Sequence, residues 1–248
     1  MTHAILSEVS HRPWPLPGGP WIMFQRWEDL LFAHWRVPTE TLRSSVPREL
    51  EMDEFDGSAW VGMTPFHLTN LRPRFLPAIP GASSFLEMNF RTYVRVGDKP
   101  GIWFFSLDAA NRLAVAAARL TYRLPYRNAR MRMRRSDGWI HYESRRKGRP
   151  RAEFVARYRG VGEAWSPVAG TIEHFLTERY ALYAMLGGGV LLRGEIHHPP
   201  WTIQLAEASI ERNSVPAAHS LAVYGEPALL HYAAPQDTLI WPPVPLRP

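Results

Sequence analysis

Residues 85–108, FLEMNFRTYVRVGDKPGIWFFSLD, constrain the fold more than any other stretch of this chain. Met88, Phe90, Thr92, Val94 and Val96 share one parity, and Glu87, Asn89, Arg91, Tyr93 and Arg95 share the other. That is the period of a strand with one apolar and one polar face. VGDKPG supplies a chain reversal. IWFFSLD then returns as a run apolar on both parities, the pattern of a strand buried on both sides. An antiparallel hairpin follows. Its polar face either meets water or lines a cavity, where a row of Glu, Asn, Arg and Tyr suits an anionic or carbonyl ligand. Periodicity alone favours water.

Composition sets the remaining bounds. The chain has 248 residues, is 46% hydrophobic and 12% aromatic, and holds 10 tryptophans, enough to bury a sizeable core. No apolar run approaches the roughly 20 residues of a membrane span. The first residues lack the basic start, apolar stretch and small-residue cleavage site of a signal peptide, so the cytoplasm is the expected location. Cysteine is absent, which removes disulfides, thiolate nucleophiles and thiolate metal sites. The formal charge is +6, and Lys99 and Lys147 are the only lysines. Schiff-base chemistry needs a lysine amine, so it has few places to occur.

Taken in order, residues 1–20 read as an irregular arm and residues 21–248 as one domain. Trp21 to Trp35 has the spacing of an amphipathic helix running into a strand. Thr39 is placed to cap a short helix over TETLRSSV. Asp56-Gly57 is a hairpin signal between LEMDEF and AWVGMTPFHL. Residues 70–84 are too rich in Pro and Gly for regular structure. In the alanine-rich run after Asp108, Leu113, Ala116 or Ala117, and Leu120 share a helical face. WIHYESRR and RAEFVARYRG form a second hairpin. IEHFLTERYALYAML is the longest helical pattern, capped by Thr171, with Arg179 on its apolar face. VLLRGEIHH, WTIQLAEASIE, SLAVYG, LLHYAA and TLIW read as strands. Many strands with few helices give an α+β fold with a curled, mainly antiparallel, barrel-like sheet.

Two constellations invite other chemistry. Glu195 with His197 or His198 offers metal ligands, although neighbouring strand residues face opposite ways and no HExxH spacing occurs. No metal site is assigned, and one buried histidine packed by Pro199, Pro200 and Trp201 is the simpler reading. Arg123 to Arg159 carries concentrated positive charge, including RNARMRMRR and SRRKGRPR. That segment supports an alternative function: an interaction protein that binds nucleic acid or an acidic partner, although no nucleic-acid motif is present. The sequence also lacks a G-x-S-x-G elbow, a phosphate loop and a dinucleotide fingerprint, and implies no cofactor.

WEDLLFAHWRVPTETLRSSVPRELEMDEFDGSAWVGMTPF, FLEMNFRTYVRVGDKPGIWFFSLDAANRLAVAAARLTYRLPYRNARM, FLTERYALYA and GEIHHPPW closely resemble the YqjF-like family of uncharacterised conserved proteins. The resemblance spans roughly residues 20 to 242. That family looks like a distant branch of the acetoacetate decarboxylase-like superfamily, which implies a barrel with an internal cavity. Glu87 matches the decarboxylase's cavity glutamate, and Arg119 the arginine that ends its helix. The catalytic lysine has no counterpart: Tyr126 or Arg127 stands in its place. The resemblance therefore implies a pocket for a small organic carboxylate or carbonyl compound without decarboxylase activity. Glu87 and Tyr126 are the candidate proton-transfer residues. Asn89, Arg91, Tyr93 and Arg119 are the candidate ligand contacts. A homo-oligomer is compatible with this reading, and a membrane is not among the expected partners.

Overall fold

The structure, a computed structural model, describes residues 3–246, apart from the side chain of Ala117. One sheet contains β1 (Met23–Glu28), β2 (Leu30–Val37), β3 (Glu51–Met52), β4 (Ala59–Pro73), β5 (Phe85–Val96), β6 (Lys99–Ala109), β7 (Tyr126–Ser136), β8 (Trp139–Arg146), β9 (Glu153–Trp165), β10 (Ala181–Leu186), β11 (Val190–His197), β12 (Ile203–Asn213), β13 (Leu229–Ala233), β14 (Gln236–Ile240) and β15 (Val244–Pro245). The α-helices α1 (Thr39–Arg43), α2 (Arg112–Thr121) and α3 (Ile172–Thr177) are short. No helix among the described residues is long and apolar enough to cross a membrane.

The sheet is ring-like. Pairings β1–β4, β4–β5, β5–β6, β6–β10, β10–β11, β11–β14 and β14–β1 close one circuit. A second leaves β6 through β7, β8, β9, β12, β13 and β2 and returns to β4. Strands β4, β5 and β6 belong to both circuits, so β5 has an interior on each face. Its even residues Met88, Phe90 and Val94 join the large apolar core inside the second circuit, with Tyr142, Phe154 and Tyr158. Its odd residues face the first circuit.

The expected mainly antiparallel sheet is instead mixed. β6 runs parallel to both β10 and β7. Parallel neighbours need a crossover, and α2 supplies it between β6 and β7. The hairpin of residues 85–108 forms as read, with a bulge where Phe90 pairs with Ser106 and Arg91 with Phe104. A bulge adds one residue and reverses which parity faces inward. That is why Ile102 and Phe104 line the same cavity as Leu107, and why IWFFSLD is apolar on both parities.

β6 and β10 meet at Gly101. A Cβ there would lie 2.7 Å from the Tyr183 ring and 2.8 Å from the Ala181 carbonyl oxygen. The carbonyl belongs to backbone and gives way little. Gly101→Ala is expected to destabilise the fold by about 1–3 kcal/mol, the usual cost of overpacking, measurable by urea unfolding; a change under about 0.5 kcal/mol would show that the seam is loose.

Several local expectations are corrected. Trp21–Trp35 forms β1 and β2 rather than a helix: Asp29 turns with φ 53°, and both strands pair with β4. IEHFLTERYALYAML is helical only through Thr177. Glu178 then accepts from the Trp201 amide at 2.8 Å, and Arg179 reaches Asp53 at 2.5 Å. The chain continues as β10, where ladder pairing outweighs helix propensity. SLAVYG is not a strand; Ser220 has φ 58°, and Leu221 bonds back to the Pro216 carbonyl. Thr39 is the first helical residue, not the cap, and its hydroxyl donates to Glu54. The Asp56-Gly57 turn is present, but β3 pairs with β5. The α2 face that carries Leu113 and Leu120 points outward: Leu113 is 76% and Leu120 70% exposed, whereas Val115 is buried. Asn111 caps this helix, accepting from the Leu113 and Ala114 amides, and donates to the Ala82 carbonyl.

Candidate functional site

The first circuit encloses a cavity of about 370 Å³. Register explains its polar patch. Phe66 pairs with Glu87, Thr64 with Asn89, and Gly62 with Arg91, and paired residues share a face. Glu87, Asn89, Arg91 and Thr64 therefore all face the cavity. Gly62 leaves room beside Arg91; a Cβ there would lie 3.0 Å from His34 Nε2 and 3.4 Å from Arg91 Cγ. Phe32, Phe85, Leu107, Leu182 and Ile240 represent the apolar remainder of the wall, and α2 covers one side through Ala114 and Ala118.

Glu87 is buried, and the Tyr126 hydroxyl donates to its two carboxyl oxygens, each at 3.2 Å. Burial pushes the Glu87 pKa up to about 8, with the Tyr126 bond pulling the other way. Desolvation and the neighbouring carboxyl drive Tyr126 well above the ordinary phenol value. With its pKa raised to about 8, Glu87 is mostly protonated at neutral pH, and a protonated carboxyl can donate a hydrogen bond into the cavity.

Arg91 is also buried. Its Nη2 donates to the Leu176 carbonyl at 3.2 Å and to the Tyr93 hydroxyl at 3.3 Å. No carboxylate lies within ion-pairing distance of it among the described residues. Its Nε, the Asn89 Oδ1 and the Thr64 hydroxyl are buried without a protein hydrogen-bond partner. Arg179, expected to point inward, does so, and is neutralised by Asp53.

Glu87, Tyr126, Asn89 and Arg91 thus meet around one cavity, and two other candidates stand apart from its lining. Tyr93 lies one layer out, its hydroxyl donating to the Leu176 carbonyl and meeting His34 Nε2 at 2.7 Å, where it braces Arg91. Arg119 is exposed, and its Nε donates to the Tyr126 carbonyl at 2.7 Å, so it holds the strand that carries Tyr126. Sequence reasoning missed Thr64 and Trp201. The register opposite Asn89 points to Thr64; Trp201 had no signal beyond the prolines before it.

The other constellations lie elsewhere. Glu195 accepts from Trp14 Nε1 at 2.8 Å and has Arg12, Lys99 and Arg193 around it. His197 meets the Ile5 carbonyl, whereas His198 turns to the cavity. The N-terminal arm is fastened here by His11 and Arg12, which reach the backbone carbonyls of His198 and Ile196. In the basic segment, Arg130, Arg132 and Arg134 are exposed on one face of β7, while Arg145 pairs with Glu153 and Arg159 with Glu207.

A ring-like mixed sheet with few helices is the fold shared with acetoacetate decarboxylase-like proteins. The acetoacetate decarboxylase of Legionella pneumophila subsp. pneumophila str. Philadelphia 1 superposes with a TM-score of 0.65 at 13% identity, over 100% of this chain and 96% of that one. An acetoacetate decarboxylase-like enzyme from Sphingomonas wittichii RW1 gives 0.64 at 15% identity, over 96% and 98%. The enduracididine biosynthesis enzyme MppR complexed with pyruvate gives 0.63 at 12% identity, over 95% and 93%. Within that fold the sequence is more specific. Residues 24–237 match the DUF2071 family, described as an uncharacterized conserved protein, and the chain belongs to this family. It is 48% identical over 227 residues to the uncharacterized protein YqjF of Bacillus subtilis (strain 168), covering 92% of this chain and 93% of that protein.

Proposed function

We propose that this protein is a barrel whose cavity binds a small organic carboxylate, with Arg91 holding the anion and the Glu87–Tyr126 pair presenting a proton to a carbonyl oxygen of the same ligand. The observation that carries the reading is Arg91: a buried cation at a cavity wall with, among the described residues, no carboxylate beside it and an unpartnered Nε. A buried charge is costly unless paired, and a bound carboxylate would pair it. The neutral Glu87 supports the second half, since a protonated carboxylic acid donates where a carboxylate only accepts.

The chemistry differs from that of a decarboxylase that uses a Schiff base. The cavity wall contains no lysine among its described residues; Lys147 is exposed, and Lys99 sits over the Trp14 ring beside Glu195. Any reaction in this cavity is therefore lysine-independent.

The test is calorimetric titration of carboxylates and their uncharged amides. Carboxylates are expected to bind more tightly than the amides, and Arg91→Met, which keeps bulk but loses charge, to lose roughly tenfold to a hundredfold in affinity, the usual worth of a hydrogen bond to a charged group. Equal binding by wild type and variant would refute the assignment.

A further inference from the structure

We propose that the occupant of the cavity is an amphiphilic monocarboxylate of about eight to ten carbons, with its carboxylate at Arg91 and its chain passing Glu87 and Tyr126. This rests on the reading of Arg91 given above and adds the ligand's size, charge and polarity.

Charge comes first. Arg91 and Arg179 are the arginines in the cavity wall, and Asp53 already neutralises Arg179. His198 is uncharged at neutral pH, because burial lowers its pKa, opposed by Glu178. Among the described residues of the wall, one cation therefore remains for the ligand. A dicarboxylate or phosphate dianion would bury a second charge with no partner.

Size comes second. A cavity of about 370 Å³ has room for roughly a dozen water-sized groups, each taking about 30 Å³ in the liquid. A carboxylate with eight to ten carbons has ten to twelve non-hydrogen atoms, so roughly fills it. A three-carbon oxo acid would leave most of the apolar wall uncovered, including Phe85, Leu107, Leu182, Ile196 and Ile240.

Spacing comes third. Glu87 and Arg91 are four residues apart on one strand, so their Cα atoms lie about 13 Å apart at roughly 3.3 Å per residue. The Arg91 guanidinium leans away from Glu87, toward the Tyr93 hydroxyl and the Leu176 carbonyl. A carbonyl next to the carboxylate does not reach both ends. A carbonyl several carbons down the chain does.

The mouth fits the same ligand. Ile22, Pro73 and Thr121 line the cavity and are also exposed, so they mark where it opens. Arg72, Arg74, Arg112, Arg119 and Arg123 belong to the two flanking segments, 71–84 and 110–135, which contain no acidic residue. Like-signed charge around an opening concentrates anions there. Phe75, Leu76, Leu113 and Leu120 are exposed on the same two segments and suit an apolar chain in transit.

Titrating the tryptophan fluorescence tests this, since Trp27 and Trp201 stack with ring centroids 6.0 Å apart and both line the cavity. The probes are butanoate, hexanoate, octanoate, decanoate, octanedioate, 2-oxooctanoate and 5-oxooctanoate, with wild type, Arg91→Met and the charge-preserving Arg91→Lys, each confirmed folded by circular dichroism. Affinity is expected to rise roughly fourfold per methylene up to octanoate or decanoate. Octanedioate is expected to bind at least tenfold more weakly than octanoate, and 5-oxooctanoate more tightly than 2-oxooctanoate. A flat chain-length series whose members still bind through Arg91 would overturn this inference and leave the anion site standing. A rising series equal in wild type and Arg91→Met would overturn both.

Discussion

Between about pH 5 and about pH 8 the wild-type protein is expected to lose a few kcal/mol of stability that a Glu87→Gln variant keeps. The sign follows from proton counts. The folded pKa of Glu87 is about 8 because burial opposes the charge, against an ordinary value of 4.5. In that window the folded state still holds a proton that the unfolded chain has released. Stability then falls as pH rises, by at most about 1.4 kcal/mol per pH unit for one group. Below the unfolded pKa both states are protonated and the stabilising difference is fully present; above about pH 8 it is lost. Glutamine has no titrating proton and keeps a carbonyl for the Tyr126 hydroxyl, so its curve lacks this slope. Urea unfolding of both proteins at several pH values measures the difference. Parallel curves would mean that Glu87 titrates at an ordinary pKa, and its role as a proton source at neutral pH would fall with it.

The other large effect is expected at Asp108. Its carboxylate accepts from Arg146 Nε at 2.9 Å, and both side chains are 1% exposed. Arg146 also donates to the Ser106 hydroxyl at 2.8 Å, and Ser106 meets His219 Nε2 at 3.1 Å. Burial raises the Asp108 pKa while Arg146 opposes it. Asp108→Ala leaves the arginine charge buried with neutral partners. Removing one member of a buried pair costs about 3–5 kcal/mol, so a large drop in the urea midpoint is expected. The double variant Asp108→Ala/Arg146→Met should recover much of the loss, since the buried Arg146 charge goes with its partner. A single variant within about 1 kcal/mol of wild type would show that water reaches the guanidinium.

Much of this arrangement was legible in residues 85–108. Strict alternation identified β5 and grouped Glu87, Asn89 and Arg91 on one face, because side chains on a strand alternate whatever surrounds them. Which face meets water is not local information. Periodicity alone favoured solvent; the resemblance placed Glu87 in a cavity, and the structure buries all three residues. Where the reading failed, distant partners decided the outcome. Ala181–Leu186 carries helix-forming residues but pairs with β6 and β11. Helical spacing alone does not say which face of α2 is covered: it presents Ala114 and Ala118 to the cavity and turns Leu113 and Leu120 outward. Arg119 is a candidate only through the resemblance, and the structure places it outside the cavity lining, donating to the Tyr126 carbonyl.

Strand β5 divides two interiors, and that gives its alternate positions separate fates. The even-numbered Met88, Phe90 and Val94 answer to packing, since they belong to the filled core. Odd-numbered residues 87, 89 and 91 line the cavity, and under the proposed function they answer to its ligand. Sequence drift can therefore re-line the chamber by exchanging every second residue of one short segment while the scaffold's filled half stays untouched. Relatives with the same fold and different ligands could arise by that route with few changes elsewhere.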